Sequence, residues 1–195
     1  MAVEAKEWYY TLRKVICQDN FAEPLREAAL AHHLGQWTRV LTRAVVETCR
    51  SYGWVASAKE HKAEVLPVRR QEYLGLDVIA FNKSLSEANS KWRLPIAVFE
   101  LENREDEDLI AYSLWKVMAI RCALRGVFCY QRQPAKVSAL AASLVQVVDA
   151  MEISRDEENP LLLVVGTRSK AGMFPDGFFQ PYYWDKEWRR FRSLL

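Results

Sequence analysis

The feature that most constrains the fold is the order of apolar segments in the second half of the chain. Short apolar runs typical of strands occupy 95–102, 126–131 and 159–168, and longer helical patterns occupy 106–124 and 135–151 between them. The last run, NPLLLVVGTR, is apolar almost throughout, which is typical of a strand buried on both faces of a sheet. Strands that alternate with helices in this way predict βαβ units, in which a helix carries the chain between parallel strands.

The beginning of the chain predicts helices. Helical patterns cover 6–17, 21–34 and 37–52. Asn20 is placed to cap the second of these helices, and Gly53 is placed to stop the third. These helices precede the first strand, so they form a group of their own at the start of the fold.

Two more strands are predicted between these helices and residue 95. They are WVASAKE and EYLGLDVIAFN, the second of which covers 72–82, and a polar hairpin-type connection leads on to the strand at 95–102. The order is therefore helix, three strands, helix, strand, helix, strand, with extra helices in front. A hairpin followed by βαβ units predicts an α/β fold with a mixed central sheet covered by helices on both faces.

Length and composition predict the domain organisation. A chain of 195 residues with 50% hydrophobic and 27% charged residues is expected to form one domain with one sizeable core. We divide it into an N-terminal helical extension at 1–35, a core at 36–170 and a C-terminal tail rich in aromatic and basic residues at 171–195. The net charge of +2 neither indicates nor excludes a nucleic-acid partner, because a local basic patch is sufficient to bind nucleic acid.

Cysteine usage and hydropathy indicate the compartment. The four cysteines form no Cys-x-x-Cys pair and sit in apolar segments, which favours buried thiols in a reducing environment. No uninterrupted apolar run approaches the ~18 residues that a membrane-spanning helix needs. The N-terminal MAVEAKEWYY carries acids and lacks the apolar centre of a signal peptide. We therefore expect a soluble cytoplasmic protein that does not associate with membranes.

Carboxylates interrupt two of the apolar strands, and they are the main functional signal. Side chains alternate between the faces of a strand, so Glu100 and Glu102 share one face while Phe99 and Leu101 point to the other. The two glutamates are expected ~7 Å apart at the end of their strand. Asp77 interrupts the preceding strand in the sequence LGLDVIAF, and hairpin pairing of the two strands would bring it close to Glu100.

Three partly buried carboxylates in one place are unfavourable, since two unit charges ~6 Å apart repel by ~3 kcal/mol at an effective dielectric constant of ~20. Either one acid is protonated, or a divalent cation that prefers oxygen ligands, Mg²⁺ or Mn²⁺, holds the set together. The ordinary alternative is that each acid marks where the chain reaches water. The acids at 105–108 fit that alternative, because they fall in the first turn of a helix, where negative charge is favourable.

The same residues resemble a known motif. Gly75 and Asp77 in GLD, followed one strand later by Glu100 and Glu102 in FELEN, are similar to the motif of the PD-(D/E)xK superfamily. These restriction-endonuclease-like nucleases include type II restriction enzymes, Holliday-junction resolvases and recombination exonucleases. The resemblance covers roughly residues 37–168 and implies a restriction-endonuclease-like αβββαβ core with a mixed sheet.

The resemblance implies a metal-dependent nuclease that hydrolyses phosphodiester bonds of nucleic acid, with DNA favoured. Asp77 and Glu100 would bind Mg²⁺ or Mn²⁺, with the Leu101 carbonyl as a further ligand. The metal would activate a water molecule and stabilise the charge of the transition state. Some members carry an additional acid where Glu47 stands, although a surface ion pair with a neighbouring arginine is the more ordinary explanation.

One position departs from the motif, because Glu102 stands where the superfamily usually has lysine. Three explanations stay open. Glu102 joins the site as a ligand of a second metal ion or as a general base. Alternatively, the cation has moved onto the following helix, where Lys116 interrupts an almost wholly apolar segment and would act at the catalytic centre. In the third explanation the chemistry is lost, and the fold serves as a protein- or nucleic-acid-binding module of a larger assembly.

Basic residues provide candidate contacts to a nucleic-acid backbone. Outside the tail they are Arg69, Arg70, Arg168 and Lys170. The segment 184–195 also interleaves basic and aromatic side chains, a composition suited to stacking and phosphate contacts. The alternative for this segment is an amphipathic helix that packs its aromatic side chains on the core or on a second copy of the chain. A homodimer or a partner protein therefore stays open beside nucleic acid.

Overall fold

The computed structural model of the protein describes residues 4–68, 72–83, 92–151 and 160–195, and its central feature is one mixed β-sheet. Seven strands form this sheet in the described ranges, in sequence order: β1 (Trp54–Ala58), β2 (Val78–Asn82), β3 (Ala97–Leu101), β4 (Leu124–Gln131), β5 (Leu161–Thr167), β6 (Phe179–Asp185) and β7 (Arg190–Ser193). The α-helices in these ranges are α1 (Ala5–Ile16), α2 (Asp19–Leu30), α3 (Leu34–Ser51), α4 (Glu107–Met118), α5 (Val137–Ser143) and α6 (Val145–Ala150). None of them is long and apolar enough to span a membrane.

Strand direction divides the sheet into three parts. β1, β2 and β3 pair antiparallel, β3, β4 and β5 pair parallel, and β6 and β7 return antiparallel. α4 connects β3 to β4, and α5 and α6 lie between β4 and β5. The structure therefore confirms an α/β fold with a mixed sheet, in which a hairpin precedes βαβ units. β6 and β7 are additions to the predicted order.

Helices cover both faces of the sheet with separate apolar layers. α1, α2 and α3 pack on one face, where Trp8 stacks on Phe99 with the ring centroids 4.4 Å apart. α4, α5 and α6 pack on the other face, against strand residues that include Val98. β3 thus sends Phe99 and Leu101 to the first layer and Val98 to the second, which confirms the alternation predicted for this strand.

The three N-terminal helices are confirmed, with one correction at the start of α2. This helix begins at Asp19, so Asn20 lies inside it and does not cap it. Pro24 has no N–H to donate to the Asn20 carbonyl one turn earlier. Arg43 of α3 donates to that carbonyl with Nη2 2.6 Å from the oxygen, and its guanidinium lies over the Phe21 ring. Arg43 therefore joins α2 to α3 at the point where Pro24 weakens the helix.

The strand predicted at 72–82 begins later than its apolar pattern. Tyr73–Gly75 forms a short 3-10 helix, in which Leu74 and Gly75 have φ angles of 58° and 66°. This turn delays the start of β2 to Val78, so Asp77 immediately precedes the strand and does not lie within it. The glycine of the GLD motif thus occupies a backbone conformation that glycine adopts easily.

α4 is shorter than its apolar pattern, because it ends at Met118 and not at residue 124. The apolar pattern continues because the turn after the helix still buries Cys122 and part of Ile120. Arg125 at the start of β4 is 5% exposed and donates to the carbonyl oxygens of Val117, Ile120 and Cys122 at 3.1, 2.6 and 3.4 Å. A helix C-terminus carries partial negative charge on such oxygens, so it compensates the buried guanidinium.

The C-terminal residues form a β-hairpin, which corrects the alternative of an amphipathic helix at 184–195. β6 pairs with β5 and β7 pairs with β6, so 179–193 extends the sheet. Trp184 packs against Phe191 with ring centroids 5.3 Å apart, and Arg192 pairs with Asp185 at 2.9 Å. The segment FFQPYYWD is rich in aromatic residues, which favour strands where a sheet edge is available to pair with them.

We expect Arg125→Leu to lower the free energy of unfolding by about 2–3 kcal/mol, because buried carbonyl groups at the end of α4 would lose their charged donor. Urea denaturation followed by circular dichroism measures this change. Arg121→Leu is the matched control, since Arg121 is exposed in the same turn and such substitutions usually change stability by less than about 0.5 kcal/mol. Equal effects of the two substitutions would contradict the capping role of Arg125.

Candidate functional site

Asp77 and Glu100 meet at one edge of the β2–β3 pair. The antiparallel register pairs Val78 with Phe99, and one step further along this register places Asp77 opposite Glu100. Opposed residues of antiparallel strands point to the same face of the sheet, with Cβ atoms about 4.5–5.5 Å apart. Asp77 accepts a hydrogen bond from the Leu101 N–H at 2.7 Å, so its carboxylate lies against the end of β3.

Lys116 of α4 reaches the same place from the helix that follows β3. Its Nζ lies 2.8 Å from Oε2 of Glu100 and donates to the Gly75 carbonyl at 3.3 Å. The Glu100 side chain is 5% exposed and the Lys116 side chain is 22% exposed. The ion pair is therefore buried between the sheet and α4, with the lysine on the side that faces solvent.

The charges at this site are only partly balanced. Oε1 of Glu100 is buried and has no hydrogen-bond partner. Burial raises the pKa of Glu100 to about 7, against the lowering effect of Lys116 and with a further raising effect of the Asp77 charge. Burial also raises the pKa of Asp77, against the lowering effect of the hydrogen bond from Leu101. Two acids thus share one lysine, and both bind protons more tightly than usual.

Glu102 lies beside this centre and does not complete a three-acid cluster. Its Oε1 accepts a hydrogen bond from the Arg104 N–H at 2.8 Å, which folds the chain back after β3. Its charge acts on Asp77 only as a small contribution that raises the aspartate pKa. In the part of the chain that the structure describes, no three His, Cys, Asp or Glu side chains converge in a way that could hold a metal ion.

The residues present nevertheless fit a divalent cation of the magnesium type. Mg²⁺ commonly binds proteins through one or two carboxylates and completes its shell with water and substrate phosphate oxygens. Asp77 and Glu100 provide two carboxylates, and one of the Glu100 oxygens is buried without a partner. The Leu101 N–H donates a hydrogen bond to Oδ2 of Asp77 and so orients this carboxylate. The donor set therefore suits a cation bound jointly with substrate and not a cage made by the protein alone.

Four basic residues outside the C-terminal tail are predicted to contact nucleic acid, and the structure describes two of them, Arg168 and Lys170. Arg69 and Arg70 lie outside the described residues. Arg168 contacts Glu105 with its Nε 3.4 Å from the carboxylate, donates to the Asn103 carbonyl, and stacks over the Tyr130 ring at 4.6 Å. Its charge is thus used within the protein to hold the loop after β3.

Two further residues predicted from the sequence are Lys170 and Glu47. Lys170 is half-buried in the short 3-10 helix that follows β5. Glu47 pairs with Arg50 at 3.4 Å on the exposed side of α3, in agreement with the ordinary explanation of a surface ion pair. The structure brings neither residue into contact with the ion pair of Glu100 and Lys116.

Two residues near the site were not singled out by the sequence. Asn103 donates through Nδ2 to Oγ1 of Thr38 at 2.6 Å, which joins the loop after β3 to α3. Tyr112 of α4 places its ring 5.5 Å from Nζ of Lys116. The four-residue spacing of Tyr112 and Lys116 on a predicted helix indicates the second contact. No sequence signal indicates the first, because it depends on where α3 packs.

Comparison with known proteins gives no relative of this chain. No family model matches it, and no curated protein or solved structure matches it either. The geometry of the site, its electrostatics and the short motif in the sequence are therefore the observations that bear on function.

The pH dependence of stability tests the description of Glu100. Its carboxyl has a pKa of about 7 in the folded protein and an ordinary value of 4.5 in an unfolded chain. The folded state therefore holds more protons between these two values, and its free energy of unfolding falls as the pH rises through them. We expect wild type to lose up to about 3 kcal/mol relative to Glu100→Gln between about pH 4.5 and about pH 7.

Urea denaturation of both proteins at a series of pH values measures this difference. Glu47→Gln is the control, because it removes an exposed carboxylate from the same protein and should follow the wild-type profile. Parallel profiles for wild type and Glu100→Gln would show that the Glu100 pKa is not raised by folding.

Proposed function

We propose that this protein is a metal-dependent hydrolase of phosphodiester bonds in nucleic acid, with DNA favoured and with its centre at Asp77, Glu100 and Lys116. The observation that carries the proposal is the buried Oε1 of Glu100, which has no hydrogen-bond partner although a second acid adds like charge beside it. Structural ion pairs normally satisfy each buried oxygen, because an unpaired buried charge is strongly unfavourable. A site that binds a cation needs such an oxygen to stay available.

Asp77 and Glu100 would hold Mg²⁺ or Mn²⁺ in this proposal. The ion, when bound, would lower the pKa of a water molecule and neutralise the charge that develops on the phosphate. The Leu101 N–H orients the Asp77 carboxylate through its 2.7 Å hydrogen bond. Burial between β3 and α4 keeps water away from Glu100, which strengthens any electrostatic interaction made there.

Lys116 would perform the role of the lysine that the motif usually carries two residues after the glutamate, at the position of Glu102. Its ammonium contacts Glu100 while about a fifth of the side chain stays exposed, so it lies between the acid and the solvent from which a phosphate would arrive. A lysine in this position binds a phosphate oxygen and counters the negative charge of the transition state. This geometry favours the explanation that the cation has moved onto the following helix.

The order and direction of the elements also support the proposal. α3, the antiparallel strands β1 to β3, α4, and β4 parallel to β3 follow the αβββαβ order that the resemblance implies. Asp77 stands at the start of the second strand, Glu100 near the end of the third, and Lys116 on the next helix. A restriction-endonuclease-like core at 36–170 is therefore the finer fold that we propose.

Cleavage of single- and double-stranded oligonucleotides in the presence of Mg²⁺ or Mn²⁺ tests the function. We expect Asp77→Asn, Glu100→Gln and Lys116→Met each to lower the cleavage rate by on the order of a hundred-fold or more. The first two remove ligands of the metal ion, and the third removes the cation that counters the charge of the phosphate. Glu102→Gln should keep far more activity, since Glu102 lies outside the centre. Removal of divalent ions with EDTA should abolish cleavage.

The matched control for these variants is Glu47→Gln, which removes an acid from a surface ion pair and should leave the cleavage rate unchanged. Thermal unfolding of every variant establishes that it is folded under the assay conditions. Cleavage that persists at the wild-type rate in folded Asp77→Asn and Glu100→Gln would refute the proposed centre.

A second candidate function is a binding module without chemistry. It is favoured by the 2.8 Å contact of Lys116 with Glu100 and by the absence, among the described residues, of a third acid that completes a metal cluster. In this case the Lys116 ammonium would permanently take the place of a metal ion beside Glu100. The fold would then contribute surfaces to an assembly with protein or nucleic acid.

Titration calorimetry with Mn²⁺ and Mg²⁺ separates the two candidates. The hydrolase proposal predicts that millimolar Mn²⁺ binds wild type and that Glu100→Gln binds it at least about ten-fold more weakly, because one of two protein carboxylates is lost. Binding of equal strength in both proteins, or none in either up to millimolar concentration, would favour the module.

A further inference from the structure

Two aromatic side chains on α4 form an exposed surface that the core does not use. Tyr112 and Trp115 are 56% and 48% exposed, and their rings are nearly parallel, with an interplanar angle of 15° and centroids 6.0 Å apart. We call this pair the aromatic shelf. Their neighbours Ser113 and Leu114 are buried, so the packing of α4 on the sheet does not depend on the shelf. Large apolar surfaces left in water usually mark a place where something binds.

The shelf lies directly beside the candidate catalytic centre. Nζ of Lys116 is 5.5 Å from the centre of the Tyr112 ring and 2.8 Å from Oε2 of Glu100. Tyr112 and Lys116 are four residues apart on one helix, so their side chains are neighbours on its surface. The Tyr112 ring therefore borders the candidate centre on the side of Lys116.

A third exposed apolar side chain lies on the turn whose backbone binds Lys116. Leu74 is 69% exposed and has a φ of 58°, a conformation that is unfavourable for a bulky residue. The next residue, Gly75, accepts the hydrogen bond from Lys116. The turn that carries Leu74 and the helix that carries the shelf therefore both contact this one lysine. A strained, exposed apolar residue of this kind is typical of a functional site.

We propose that the aromatic shelf stacks unpaired bases of a single-stranded nucleic acid whose phosphate lies at Lys116. This inference rests on the proposed function and specifies its substrate class. The faces of aromatic rings stack on any base, whereas a duplex keeps its base faces covered by neighbouring base pairs. The ammonium of Lys116 has three N–H donors, and the one not used by Glu100 or Gly75 can bind a backbone phosphate. The shelf begins one helical turn away from this ammonium. An apolar partner protein would gain nothing from the buried charges next to the shelf.

Binding measured without divalent ions tests the inference separately from cleavage. Fluorescence anisotropy of labelled oligonucleotides in EDTA and low salt compares a single-stranded DNA, a single-stranded RNA of the same sequence and the fully paired DNA duplex. We expect at least one single strand to bind more tightly than the duplex. Tyr112→Ala and Trp115→Ala should each weaken binding of that strand by about ten-fold, the usual effect of losing one stacked base.

Conservative variants of the shelf and one variant elsewhere on the surface serve as controls for the binding measurement. Tyr112→Phe and Trp115→Phe keep an aromatic face and should bind as wild type does. Trp188→Ala removes a side chain that is 62% exposed on the C-terminal hairpin, and it should leave binding unchanged. A duplex bound as tightly as both single strands, or unchanged affinity in both shelf alanine variants, would overturn the inference.

Two other outcomes are also decisive. If sedimentation shows that wild type is a dimer and both shelf alanine variants are monomers, the shelf is an interface between copies of the chain and the inference fails. If single strands bind through the shelf but Asp77→Asn and Glu100→Gln cleave like wild type, the stacking surface stands and the proposed catalytic centre fails. The opposite result is loss of cleavage in Asp77→Asn and Glu100→Gln together with unchanged binding in Tyr112→Ala and Trp115→Ala. It would support the catalytic centre and refute the stacking surface.

Discussion

The buried ion pair of Glu100 and Lys116 is the interaction on which the rest of the candidate site depends. It places a carboxylate between a sheet and a helix, binds one of its oxygens to an ammonium and leaves the other without a partner. Asp77 adds a second acid across the strand pair. Burial raises the pKa of both carboxyl groups, and the Asp77 charge raises the pKa of Glu100 further. A protein that keeps such an arrangement gives up some stability, and a cation bound to the folded state alone would restore it.

Two chain connections create this arrangement. The antiparallel register of β2 and β3 sets Asp77 opposite Glu100, and the helix that carries the chain from β3 to β4 sets Lys116 above them. The same helix turns Tyr112 and Trp115 outward one turn away. The candidate metal ligands, the lysine and the aromatic shelf therefore come from two adjacent strands, the residue that precedes one of them, and one helix.

Three arginines brace the backbone of this fold, so the number of basic residues in the sequence does not show how many of them are available to a partner. Arg43 supports α2 where Pro24 removes a hydrogen bond, Arg125 caps α4, and Arg168 holds the loop after β3. Each donates to a backbone carbonyl where regular structure is interrupted or ends. Only the structure separates these residues from basic residues that remain exposed, because a guanidinium serves both purposes equally well.

Periodicity in the sequence was enough to predict the N-terminal helices, the βαβ order and the face of β3 from which Glu100 projects, because these depend on a few neighbouring residues. It also placed Asp77 near Glu100, since a hairpin leaves few alternatives. It did not reveal that Glu102 folds back onto Arg104, that Arg168 is held by Glu105 and Asn103, or that the last strands form a hairpin. The first of these is a local contact that depends on where β3 ends. The others, and the contact of Lys116 with Glu100, depend on strand register and helix placement across many residues, which tertiary packing alone decides.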